Sequence, residues 1–174
     1  MAVRVVGEAD VSRLASAFPE SPGTPASRHV GRWRLQQAGL VTAIAAWLED
    51  GPAGYCVVRF PVPDGQATAN AMALGCAELR DLFVFVAARR RGIGRRLVEA
   101  AEAVAVGRGA GRLGLEVTTS NPENEDARRL YADLGFVDAG VGEFLSGYSY
   151  WTPDGVELRD EEPHRYLIKE LPAG

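Results

Sequence analysis

Cysteine, histidine and methionine are scarce in this sequence of 174 residues, with two of each. Cys56 and Cys76 lie in separate apolar, strand-like runs, which reads as two buried thiols in a reducing compartment rather than a disulfide framework. Two histidines and two cysteines show no ligand spacing, so no metal is expected. Basic charge is not in excess either: the formal net charge is −4 and the isoelectric point is about 5.3, which argues against a nucleic-acid partner. Apolar runs long enough to cross a bilayer are missing, and so is a leader peptide; the expected setting is the cytoplasm, with no membrane partner. Repeats, heptads and low-complexity tracts are also lacking. What remains, 47% hydrophobic and 24% charged residues, is the make-up of an ordinary globular chain, and this length suits a single domain over residues 1–174 with a sizeable core.

The most informative stretch runs from Leu82 to Leu97. Leu82 to Val86 is an unbroken apolar run of strand character. A turn with five arginines, Arg89, Arg90, Arg91, Arg95 and Arg96, follows it and carries Gly92 and Gly94. Ile93, Leu97, Ala100, Ala101 and Val104 then recur at helical spacing up to the breakers Gly107-Arg108-Gly109. A strand that passes through a glycine turn into a helix leaves unpaired N–H groups at the helix start, where the dipole adds positive charge. Such a turn suits a phosphate or pyrophosphate. A Walker A loop is excluded because no Gly-Lys-Ser/Thr follows, and a dinucleotide fingerprint is excluded because its third glycine is missing. A tight turn with solvated arginines is the alternative.

Arg89-x-x-Gly92-x-Gly94 after a buried strand resembles the acetyl-CoA pyrophosphate loop of the GCN5-related N-acetyltransferases, the GNAT superfamily. Downstream, Asn124-Glu-Asp-Ala127-Arg-Arg-Leu130-Tyr131-Ala-Asp-Leu-Gly135-Phe136 is similar to the second signature of that family. Two signatures in order are far more specific than one. The resemblance implies an α/β (α+β) fold: a mixed, mostly antiparallel sheet of six to seven strands with helices on both faces. It implies acetyl-CoA as cosubstrate, held by the backbone of Leu82, Phe83 and Val84 along the pantetheine arm and by Arg89, Arg90, Arg91, Gly92, Ile93, Gly94 and Arg95 at the pyrophosphate. Asn124 would touch the cosubstrate, with Asn121 as the alternative because the link before the helix is long. Glu78 would be the general base, with Asp81 its rival, and Tyr131 would protonate the leaving thiolate while also touching the cosubstrate. The strand is expected to splay from its neighbour after Val84. Relatives often dimerise, so a homodimer is an open option.

The residues themselves leave structural readings beside these. Glu78 or Asp81 can simply pair with Arg80 or another arginine, and Tyr131 can be a core tyrosine, because Ala127, Leu130, Tyr131 and Leu134 form one apolar helix face closed by Gly135. His29, Arg32 and Trp33 fall on a helix over about 27–37 that the family uses as an acceptor wall, or on an ordinary amphipathic helix with Trp33 packed inward.

Elsewhere, Val3–Val6 reads as an edge strand, and Val11, Leu14, Ala15 and Phe18 as a short helix with Asp10 as N-cap. Residues 19–25 read as a proline-rich loop. Val41–Leu48 and Gly54–Phe60 form a hairpin about Glu49-Asp50-Gly51-Pro52, and 61–71 reads as a loop, with Cys76–Val86 the next strand. Leu113–Val117 is another strand, followed by a helix start at Ser120-Asn121-Pro122-Glu123 with Asn121 as N-cap. Residues 137–171 give two closing strands about Pro153-Asp154-Gly155; Tyr148, Tyr150 and Trp151 line an acceptor pocket or pack across strands. The expected activity is acetyl transfer to a primary amine of a small molecule or protein, by direct attack in a ternary complex. The alternative is a non-catalytic acyl-CoA sensor. Acceptor choice is assigned to 19–34, 61–74 and 138–163, which carry no readable motif.

Overall fold

A computed structural model describes residues 1–17, 28–63, 67–121, 124–151 and 156–172. Seven strands form one sheet in the order β1-β2-β3-β4-β5-β7-β6. They are β1 (Ala2–Val5), β2 (Val41–Leu48), β3 (Gly51–Arg59), β4 (Ala77–Val84), β5 (Arg112–Thr118), β6 (Val137–Trp151) and β7 (Glu157–Glu170). Every neighbouring pair is antiparallel except β4 and β5. The closing hairpin folds back so that its second strand, β7, lies against β5 and leaves β6 at the edge.

Helices cover both faces. On one, α4 (Ile93–Gly107) and α5 (Glu125–Asp133) set Ile93, Leu97, Val98, Ala101, Ala105 and Tyr131 against Ile44, Cys56, Val58, Leu79, Leu113 and Leu115. On the other, α1 (Glu8–Ala17) and α2 (Arg28–Gln37) pack Val11, Leu14, Val30 and Trp33 on Ala43, Ala45, Trp47 and Val57. A third short helix on that face, α3 (Ala69–Leu74), joins Ala71 to Cys76 and Tyr166. The two-residue alternation of strands explains this sorting: Leu79, Leu115 and Val117 face α4, while their neighbours Glu78, Arg80, Gly114 and Glu116 face the other way.

Several expectations need correction. Asp10 is inside α1 rather than its N-cap, and its carboxylate accepts from the Gly7 N–H at 2.9 Å and pairs with Arg4. The first hairpin is tighter than expected, since Gly51 already pairs with Leu48. The stretch 61–71 is not all loop: Thr68 caps α3, its hydroxyl accepting from Ala71 N–H. Small turn-forming residues hide a helix that long-range contacts create. The start of α5 moves on from Asn121 to Asn124, which is the N-cap and whose side chain makes no capping bond. Instead the Asn121 carbonyl accepts from Asn124 N–H at 3.2 Å and from Arg128 at 3.3 Å, closing a separate turn. Residues 19–25, Phe18, Asp64-Gly65, Pro122-Glu123 and the Pro153-Asp154-Gly155 turn lie outside the described residues, as do the side chains of Tyr148, Tyr150 and Trp151.

Candidate active site

The parallel pairing of β4 with β5 lasts for two positions only, Ala77↔Leu113 and Glu78↔Gly114. Beyond them β4 stays with β3 and β5 stays with β7, so the two strands part. The parting therefore begins just after Glu78, earlier than the expected point after Val84. A bulge sharpens it. Cys56 on β3 stands opposite two residues of β4, Asp81 and Leu82, because the register slips between Tyr55↔Phe83 and Val57↔Arg80. Asp81 has φ of 55°, an uncommon conformation for a residue with a Cβ, and bulges re-aim side chains in this way. Arg32 of α2 holds it through an ion pair of 2.8 Å. Burial works to raise the Asp81 carboxyl, and the charge and hydrogen bond of Arg32, helped by Arg59 and Arg80, outweigh it and hold the group below its ordinary value.

Between the parted strands is a cleft of about 250 Å³. Leu79, Arg80, Asp81 and Leu82 form one wall and Leu115 and Glu116 the other; Tyr131 reaches in from α5, and Ser146, Gly147 and His164 from the closing hairpin. Leu79 and Leu115 belong to the α4 face and Arg80 and Glu116 to the other, so residues of both faces line the cleft. Glu116 is nearly buried, its side chain 6% exposed. Its Oε2 accepts from Arg80 Nη1 at 2.6 Å and from Ser146 Oγ at 2.7 Å. Tyr131 packs edge-on against Phe136 with ring centroids 5.8 Å apart, and burial pushes its hydroxyl up, which favours the protonated form.

Glu78 is not among the cleft-lining residues. It is 0% exposed, and its carboxylate accepts from Thr68 N–H at 3.1 Å, Thr68 Oγ1 at 2.5 Å and Tyr166 O–H at 3.4 Å. Burial raises this carboxyl more than the bonds from Thr68 and the charge of Arg80 lower it. Tyr166 reaches this spot because its ring lies over Gly114, diagonal to it across the β5–β7 pairing: a Cβ there would lie 2.5 Å from the tyrosine ring.

The glycine turn lies at the other end of β4. Gly92 is the N-cap of α4 in the left-handed region, at φ 74°, and no side chain caps the helix. The first N–H groups of α4 therefore have no partner within the helix. Arg89 and Arg90 precede it, Arg89 donating to the Val84 carbonyl at 3.2 Å and Arg90 pairing with Asp126 of α5; Arg95 lies 4.0 Å from Asp133. Turn and α5 are thus tied together, and Gly94 faces Leu130 closely enough that a Cβ would sit 3.2 Å from it. Leu82, Phe83 and Val84 run from the cleft to this turn, Phe83 and Val84 pairing with β3 and none of the three pairing with β5.

The sequence model of the acetyltransferase (GNAT) family matches residues 9–136. The chain belongs to the GNAT acetyltransferase family. No curated protein matches this GNAT chain, but solved structures share its fold. The ribosomal-protein-alanine N-acetyltransferase of Brucella melitensis is 19% identical, with a TM-score of 0.66 over 98% of this chain and 100% of that one. The ribosomal-protein-S18-alanine N-acetyltransferase of Escherichia coli is 21% identical, with a TM-score of 0.62 over 99% and 96%. The yncA protein of Salmonella typhimurium, solved with its cofactor acetyl-CoA, is 17% identical, with a TM-score of 0.60 over 100% and 95%. Among the described residues of this GNAT domain no helix is long and apolar enough to cross a membrane, and no group of three or more His, Cys, Asp or Glu could hold a metal ion.

Within the GNAT fold, His29 and Arg32 prove to be buried residues of α2, each 7% exposed, while Trp33 packs partly inward. His29 meets the Tyr55 ring edge-on at 5.0 Å, and burial, then Arg32 and Arg28, push it down to about 4. Arg32 alone of the three reaches the cleft wall, through Asp81. Reading the sequence missed Glu116, Ser146 and His164. The one available signal was Glu116 itself, a lone carboxylate inside the apolar run Leu113–Val117, and burying a charge is costly without partners or work to do.

Proposed function

We propose that this protein transfers an acetyl group from acetyl-CoA to a primary amine, the two reactants meeting in the cleft between β4 and β5. The observation that carries this reading is that the cleft is lined from both faces of the sheet, by Tyr131 from the α4–α5 face and by Glu116 from the other. A donor on one side and an acceptor on the other can then touch without exchanging places, which supplies much of the acceleration and needs no covalent intermediate on the enzyme.

The chain fits the donor. The uncapped start of α4, the left-handed Gly92 and the arginines about it suit a pyrophosphate, through Arg89, Arg90, Arg91, Ile93, Gly94 and Arg95. The backbone of Leu82, Phe83 and Val84 offers a strand edge to the pantetheine arm, and Asn124, whose side chain caps nothing in α5, completes that side. Bound acetyl-CoA supplies an activated acyl group as its thioester. On the opposite face Glu116 takes a proton from the acceptor ammonium: an N–H bond breaks, an O–H bond forms, and the freed lone pair attacks the thioester carbon. As the C–S bond breaks, Tyr131 gives its hydroxyl proton to the sulfur and the nitrogen loses its second proton to solvent, leaving the neutral amide; solvent then restores the tyrosine hydroxyl. Glu78 has an anchoring role, and Asp81 with Arg32 shapes the wall. The acceptor class is a cationic amine, and the two alanine N-acetyltransferases of the same fold bring a protein N-terminus within it.

The test is calorimetric titration with acetyl-CoA, CoA, ATP and NAD. The wild type should bind the two CoA species selectively, and Gly92→Glu, which forces a side chain into a left-handed position and adds a negative charge, should weaken them by roughly tenfold or more. Binding of ATP or NAD as tight as CoA, or indifference to the substitution, overturns the reading. Tight CoA binding with no thiol release over a broad panel of amines would leave an acyl-CoA sensor instead.

A further inference from the structure

We propose that His164 is an acceptor-binding residue whose Nε2 lone pair takes one N–H of the incoming amine and so positions it beside Glu116; this deepens the acetyl-transfer reading above and rests on it. His164 stands on β7 between Thr118 of β5 and Phe144 of β6, and it lines the cleft on the face that Glu116 shares. Its Nδ1 lies 2.8 Å from the backbone carbonyl of Glu162. A carbonyl oxygen only accepts, so Nδ1 carries the hydrogen of this bond, and in the neutral ring Nε2 is then an acceptor with no hydrogen. The ring is held in place by the Phe144 ring, 6.4 Å away and tilted by 30°, and by the two strands flanking its own. Among the described residues Nε2 has no hydrogen-bond partner.

The rest of that face decides what the lone pair is for. Arg80 donates from Nη1 to Glu116 Oε2, and Ser146 donates to the same oxygen, which leaves Oε1 the oxygen for a further donor. Glu116 Oε1 and His164 Nε2 are thus two acceptors that this side of the cleft offers to an incoming group. A group with several N–H bonds satisfies that pair. A primary ammonium has three: it surrenders one proton to Glu116 and still offers two N–H, one to His164 Nε2 and one to the carboxyl, while its lone pair points at the thioester.

The experiment has two parts. Long-range proton–nitrogen NMR of the 15N-labelled wild type reads the ring nitrogens directly; we expect Nδ1 protonated and Nε2 bare, with the Nε2 resonance moving on titration with ethylammonium and not with tetramethylammonium. Ethylammonium should then bind His164→Gln, which keeps an acceptor near the Nε2 position, about as well as wild type, and His164→Ala about tenfold more weakly, with acetyl-CoA affinity the same in all three. A protonated Nε2, an Nε2 resonance that ignores ethylammonium, or His164→Ala binding ethylammonium like the wild type overturns the proposal. Loss of acetyl-CoA binding in the wild type would sink the transfer reading separately, and the ring-nitrogen measurement would still decide His164.

Discussion

Replacing Glu78 separates anchoring from chemistry. Its carboxylate is fully buried and receives bonds from Thr68 N–H, Thr68 Oγ1 and Tyr166 O–H, and through Thr68 it ties the N-terminus of α3 to β4. Glu78→Ala removes all three bonds, strands three buried polar groups and leaves a void. The charge-assisted bonds are not additive, and a loss of about 3 kcal/mol is the expected sum. For a chain of this size that is a melting temperature lower by roughly 6–12 °C. Glu78→Gln keeps the shape and at least one acceptor and should cost only about 1 kcal/mol. The pH dependence adds a second reading. Burial raises the folded pKa of Glu78 above its ordinary value near 4.5, so the folded state favours the protonated form. The stability that this site contributes is complete in acid, below the unfolded value, and is lost as pH rises through the raised folded value. Glu78→Gln cannot ionise, so that part of the decline should flatten. Thermal unfolding across pH, run beside thiol release with a saturating amine, measures both. A hundredfold fall in kcat for Glu78→Gln at an unchanged melting temperature and an unchanged pH profile would refute the anchoring argument and return Glu78 to the chemistry.

Glu116→Gln should lower kcat by about a hundredfold or more while acetyl-CoA affinity by calorimetry stays put, because it removes the proton acceptor from the opposite side of the cleft. Tyr131→Phe preserves the packing on Phe136 and should cost at least about tenfold in thiol release, with the melting temperature nearly unchanged. Gly114→Ala places a methyl group 2.5 Å from the Tyr166 ring and should destabilise the fold by about 1–3 kcal/mol, seen as a lower melting temperature.

Local pattern was enough for some elements and blind to others. The period of Ile93, Leu97, Ala101 and Val104 delimits α4 closely, the helix running into the first of the expected breakers, Gly107, because nothing distant competes with its amphipathic face. Strand identity was equally readable from the apolar runs, as was the helix face that ends at Gly135. The bulge in β4 was not, since Cys76–Val86 reads as a single strand and the extra residue exists only in register against β3. Nor was α3, which depends on Thr68 meeting a carboxylate ten positions on. In the cleft, Tyr131 is carried by a local motif and can be read. Glu116, Ser146 and His164 come from three strands distant in the chain, and no short window contains them together.

The early parting of β4 from β5 also bears on how such a chain can change over generations. Tyr131 of α5 lines one side of the cleft, toward the glycine turn, and Ser146, Gly147 and His164 of the closing hairpin line another. On the proposed acetyl-transfer reading, substitutions on the hairpin side can try new acceptors while the side toward the glycine turn keeps the same donor, so divergence of substrate need not pass through forms that have lost their source of acyl groups.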